Sequence, residues 1–178
     1  MTINNISTSS EKAVIPKSVI DLYINNSSLI PDLSNFTNLK RIYFSNCEGN
    51  IKLFNCPNLE SITISSCKNV NLTLEGCGNF NKYIDLSIAS STFGQIIFNG
   101  SYINYLNLSD LSFNISFTNS KSYIKIVNLQ NATILNGELN ISNLIADTLI
   151  LNNISEVKVI TNEIKSFRFL GLRYSNIT

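Results

Sequence analysis

The 178-residue chain has no histidine and no tryptophan, one methionine, three prolines and seven glycines. Missing histidine removes the commonest general base, the base of a nucleophilic triad and the commonest metal ligand. Charge is scarce as well: 14% of residues are Asp, Glu, Lys or Arg, and they sum to +1. A near-neutral chain lacks the basic patch that neutralises phosphates, so no nucleic-acid partner is expected. No apolar run approaches the ~18 residues of a membrane span. Residues 1–10 are polar and contain no apolar signal-peptide core, so the expected location is the cytoplasm or a particle. What replaces charge is neutral polarity, with 28 Asn, 24 Ser and 11 Thr. The hydrophobic fraction is 44%, too high for a disordered chain, and the length suits one domain.

The apolar residues are periodic. A pair of them, one residue apart, recurs at Leu22/Ile24, Ile42/Phe44, Ile62/Ile64, Ile84/Leu86, Leu106/Leu108, Val127/Leu129, Leu149/Leu151 and Phe167/Phe169. The first members lie 20, 20, 22, 22, 21, 22 and 18 residues apart. A fixed period in this range marks a solenoid, in which each coil buries its apolar face by stacking on the next. With the pair numbered 4 and 6, positions 1 and 9 also fill in. The second coil reads Leu39, Ile42, Phe44, Cys47 and the third Leu59, Ile62, Ile64, Cys67. The first is polar at position 9, Ser27, and the fourth takes Phe80 at position 1 only with an inserted residue.

Residues one apart share a face of a strand, so each coil supplies one short strand and the stack a parallel sheet. The rest of each coil alternates too, at Ile51/Leu53, Val70/Leu72/Leu74, Ile96/Phe98, Phe113/Ile115/Phe117, Leu139/Ile141 and Val157/Val159. Alternation predicts a second strand there, and about 21 residues leave little room for a helix. The expected fold is therefore all-β. It is a right-handed solenoid of about eight turns over residues 18–178, with two short parallel sheets and few or no helices. Residues 1–17 are expected to form an N-terminal arm or cap, touching the first coil through Ala13, Val14 and Ile15.

The frame L-x-x-L-x-L-x-x-N/C resembles that of leucine-rich repeats, most closely at residues 36–47 and 56–67. Position 9 departs from the family, with Asn in no coil and Cys in two. The resemblance implies a repeat protein that binds partners along its sheet.

The twelve carboxylates are scattered. Asp21, Asp85 and Asp147 share the expected outer face but lie coils apart, whereas paired acid–base chemistry needs roughly 5–9.5 Å. No enzymatic activity is expected. The cysteines form two series one coil apart, Cys47 with Cys67 and Cys56 with Cys77. They lack C-x-x-C spacing and read as buried ladders of thiols, so no metal and no cofactor is expected. Eleven Asn-x-Ser/Thr sites, among them Asn26, Asn131 and Asn153, read as products of the repeat rather than glycosylation signals.

The outer face of the first sheet is the expected recognition surface. Tyrosine among serine and asparagine gives contact area at low entropic cost. The candidate partner-binding residues are Tyr23, Arg41 and Tyr43, with Tyr83 and Tyr105 as a second patch. The leading expectation is a binding or scaffolding module for a protein, or for a glycan. The alternative is a structural component of a larger assembly, such as a virion or tail surface protein, joined through its uncapped C-terminal coil. A carbohydrate-active β-helix enzyme ranks third.

Overall fold

The computed structural model describes residues 1–5, 14–110, 112–113, 116–120, 122–131, 133–134, 138–140, 145–154, 158–160 and 164–170. Among these there is no helix, and the chain is a parallel β-solenoid of stacked coils. The long sheet holds nine strands: Thr2–Asn4, Asp21–Asn25, Arg41–Ser45, Ser61–Ser65, Ile84–Ala89, Tyr102–Ser109, Tyr123–Gln130, Ala146–Asn152 and Ile164–Leu170, stacked in chain order. A second sheet stacks five strands: Leu33–Ser34, Glu48–Phe54, Lys68–Glu75, Phe93–Asn99 and Ser116–Ser120. Two strand pairs continue this side, Ser112–Phe113 with Thr133–Ile134 and Glu138–Asn140 with Lys158–Ile160. At ~4.8 Å per rung the long sheet extends about 38 Å.

The core lies between the sheets. Leu22, Ile42 and Ile62 stack in register, as do Ile24, Phe44 and Ile64, and all are buried. Leu53, Leu72, Leu74, Ile96 and Phe98 meet them from the second sheet. Ahead of the first full coil, Thr2–Asn4 pairs with Asp21–Asn25 and buries Ile3 against Ile24. Ile15 packs on the core while Val14 stays exposed; Ala13 lies outside the described residues.

The fourth coil corrects the expected frame. Ile62 pairs with Leu86 and Ile64 with Ile88, so the buried pair is Leu86/Ile88 and not Ile84/Leu86. Ile84 drops back to position 1, opposite Ile103. The extra residues form a turn closed by an antiparallel bridge between Asn79 and Lys82, which leaves Phe80 75% exposed rather than in the core.

Left-handed corners of two kinds turn the coils among the described residues. The first follows the long-sheet strand at position 8: Asn26, Asn46, Ser66, Ser90, Asp110, Asn131 and Asn153 all have φ near +50°. The second follows the opposing strand at Asn35, Asn55, Gly76 and Gly100. Short side chains that bond the local backbone tolerate this region best, which explains the monotony of Asn, Ser, Asp and Gly there. Corner N–H groups donate to carbonyls of the next coil, for example Asn26 to Ser45 at 2.9 Å and Asn55 to Glu75 at 2.9 Å. The side chains form ladders as well: the Asn55 amide donates to Asn35 at 2.7 Å and that of Asn153 to Asn131 at 2.7 Å. A further asparagine column, Asn38, Asn58 and Asn79, donates to the carbonyls of Lys17, Thr37 and Pro57 one coil back.

The described residue after a corner is buried: it is Phe36 after Asn35 and Ile154 after Asn153, and a small ladder residue at the others. At the first corner these are Ser27, Cys47, Cys67 and Ser91; at the second, Cys56, Cys77, Ser101 and Ser122. Each ladder side chain satisfies buried backbone groups. Cys67 N–H donates to Ser91 Oγ at 3.0 Å, Cys77 N–H to Ser101 Oγ at 3.2 Å, and Ser101 N–H to Ser122 Oγ at 2.9 Å. The cysteines are thus members of a mixed Cys/Ser hydrogen-bonding ladder, and all four are free thiols. No buried side-chain N or O atom among the described residues lacks a partner, as a well-formed interior requires.

Candidate binding face

Strand alternation turns positions 3, 5 and 7 of the long sheet outward. On the first two full coils this makes a grid of three stacked pairs: Asp21 with Arg41, Tyr23 with Tyr43, Asn25 with Ser45. The tyrosine rings are 4.6 Å apart at their centroids and 5° from parallel. Tyr23 is 40% exposed. Beside them Arg41 grips Asp21 with two bonds, Nε to Oδ1 at 2.7 Å and Nη2 to Oδ2 at 2.9 Å. The guanidinium bonds hold the Asp21 carboxyl below its usual range, and the carboxylate raises Arg41 in turn. The sequence candidates Tyr23, Arg41 and Tyr43 are therefore one contiguous patch.

Tyr83 and Tyr105 are placed differently. The corrected register gives position 3 of the fourth coil to Asp85, which faces Ser61 and Tyr105. Tyr83 sits before its strand and joins two tyrosines that sequence reasoning missed. Its ring meets Tyr102 edge-on at 5.8 Å and Tyr123 at 6.0 Å, and Lys125 Nζ lies 4.0 Å above it. Tyr102 and Tyr123 are in register, one residue ahead of the apolar Ile103 and Ile124. That spacing was the available signal. Tyr105 belongs to a different column, between Asp85 and Ile126.

The cluster continues into charge. Tyr123 donates its hydroxyl proton to Asp147, which also accepts from Lys165 Nζ at 2.7 Å. Lys165 first, and Tyr123 second, hold the Asp147 carboxyl below its usual range; the same bond raises the Tyr123 phenol. Replacing Lys165 with methionine is expected to move the Asp147 titration midpoint up toward the ordinary carboxylate value. Carboxyl NMR across a pH series measures it, and an unmoved midpoint would show that the ion pair does not form in solution. The three outward carboxylates are thus separately held: Asp21 by Arg41, Asp85 by Asn104 at 2.9 Å, and Asp147 by Lys165.

Between the two patches the face carries small polar side chains, Ser61, Thr63, Ser65 and Ser87, and the carboxylate of Asp85. Toward the C-terminal end Asn128 donates to Asn107 at 2.7 Å, and the partly exposed Ile126 and Ile150 interrupt the polar columns. No group of three or more metal-ligating side chains occurs among the described residues, and no helix among them is long and apolar enough to cross a membrane.

These features define a β-solenoid repeat protein with a tyrosine-bearing outer sheet. Comparison with protein-family models, curated proteins and solved structures finds no match to this chain.

Proposed function

We propose that the chain is a non-enzymatic binding module of leucine-rich-repeat type, which recognises a protein partner through the outer face of its long sheet. The observation that carries this reading is the Tyr23–Tyr43 stack beside the Arg41–Asp21 pair. Tyr and Arg are the residues most enriched among interface hot spots. Here the aromatic rings brace each other and the guanidinium is already oriented, so docking a partner freezes few rotamers. The patch also faces solvent from regular strands, whose backbone is fixed by the rungs on either side. The second tyrosine cluster, with the nearby Ile126 and Ile150, gives the same face a more apolar region three to four coils along. A glycan is the second ligand class for the tyrosine surfaces.

The test is alanine substitution at Tyr43 and Arg41, both partly or fully exposed. Each is expected to weaken partner binding about 30-fold, the effect of a ~2 kcal/mol hot spot, with the circular dichroism spectrum unchanged. Binding is measured by calorimetry against the partner recovered with the wild-type protein. Full affinity in both variants would move the interface off this face.

A further inference from the structure

All four cysteines of the chain fall in two adjacent coils, at two equivalent ladder positions. At equivalent positions serine stands at Ser27 and Ser91 of the first corner and at Ser101 and Ser122 of the second, while Phe36 and Ile154 fill two others. Serine therefore suffices for the backbone hydrogen bonds of the ladder. What two stacked cysteines add, and serine does not, is a pair of soft sulfur donors one rung apart.

The two pairs differ in access. A surface depression of about 210 Å³ is lined by Asn46, Cys47, Glu48, Ser66 and Lys68, and so reaches the first pair at Cys47. The depression on the second sheet, of about 220 Å³, is lined by Asp32, Ser34, Lys52, Leu53, Phe54, Thr73 and Glu75 and reaches neither Cys56 nor Cys77.

We propose that the stacked Cys47–Cys67 rung is a two-coordinate site for a soft monovalent cation, Cu(I) by preference, entered through the depression beside Asn46 and Lys68. Thiolates select Cu(I) over harder cations, and two donors suit linear coordination where zinc requires four. The span fits: two metal–sulfur bonds of about 2.3 Å each cover about 4.6 Å, close to the ~4.8 Å rung spacing. In the step, both thiols release their protons to solvent and two sulfur–metal bonds form, with no change in oxidation state. The backbone tolerates the loss of those protons. Cys47 Sγ donates to Ser45 O and Cys67 Sγ to Ser65 O, each at 3.3 Å. Those carbonyls also accept the N–H of Asn26 and Asn46 respectively, so neither is orphaned. The Cys47 N–H donates to Cys67 Sγ at 3.3 Å and stabilises a thiolate there.

The experiment is anaerobic titration of the full chain with Cu(I) supplied as its bathocuproine complex, reading the loss of chelator absorbance. The expected result is one Cu(I) withdrawn per chain, falling to none in Cys47→Ser and Cys67→Ser and staying at one in Cys56→Ser and Cys77→Ser. Serine reproduces the residue used by neighbouring coils, and circular dichroism reports whether each variant folds. In the wild-type protein, bound Cu(I) should also slow alkylation of Cys47 and Cys67 at least tenfold, which needs no variant. No withdrawal of Cu(I), equal loss in the Cys56 and Cys77 variants, or unprotected Cys47 and Cys67 would overturn the assignment.

Discussion

Phe44→Ala is expected to lower the free energy of unfolding by about 3–5 kcal/mol, measured by urea denaturation. Phe44 is 1% exposed and stacks between Ile24 and Ile64 on the inner face of the long sheet. Truncation removes the transfer energy of the ring and leaves a cavity. That cavity cannot collapse, because the rungs above and below are fixed by main-chain bonds at the rung spacing. In a solenoid each coil's stability depends on its neighbours, so a void in one coil weakens two interfaces. Whole domains are stable by only about 5–15 kcal/mol, and this one change removes a large share. Phe44→Leu, which keeps most of the volume, is expected to cost under about 1.5 kcal/mol. Equal costs for the two substitutions would mean that volume at this rung is not what matters.

Gly78→Ala is expected to cost about 2–4 kcal/mol, and Gly100→Ala about 1–2 kcal/mol. Both glycines have positive φ, +68° and +58°, so both pay the left-handed penalty of an added Cβ. They differ in surroundings. A Cβ at Gly78 would lie 2.8 Å from Lys82 O, in the bridged turn, and 3.1 Å from Tyr102 O, in the next strand of the long sheet, both backbone atoms. At Gly100 nothing lies within 4 Å. The difference between the two variants isolates the steric cost of the turn that absorbs the fourth coil's extra residues. Similar values for both would mean that the turn yields.

That turn also marks where the sequence could be read and where it could not. The period, the second strand and the absence of helix follow from side-chain alternation alone, since Leu22/Ile24 and Ile51/Leu53 both need a buried strand face. The fourth coil was misframed because Ile84, Leu86 and Ile88 alternate without a break, and an alternating triplet admits two registers. The residue that decides is Ser90, whose φ of +48° aligns it with Asn26, Asn46 and Asn131. Corner residues at position 8, always Asn, Ser or Asp from Asn26 to Asn153, were therefore the better ruler. Position 9 is the poorer guide, because it varies among serine, cysteine and isoleucine. The asparagine ladders were hidden because they run through the corners and through Asn38, Asn58 and Asn79, outside the strands that set the frame. On the outer face, Tyr23, Arg41 and Tyr43 could be grouped because their coils are 20 residues apart without interruption. Tyr102 and Tyr123 could not, because the misframed coil put Tyr83 in the wrong column.

The register of the long sheet underlies the binding face, the thiol rung and both stability predictions, and one distance tests it. Thr63 and Arg168 occupy the same outward column, linked through Ser87, Asn107, Asn128 and Ile150, five rungs apart. Spin labels on Thr63→Cys and Arg168→Cys, in a background with the four native cysteines changed to serine, report their separation by pulsed electron resonance. Stacked coils predict a narrow distribution centred at about 24 Å, five rungs of ~4.8 Å. A broad distribution, or a centre beyond about 40 Å, would contradict the solenoid.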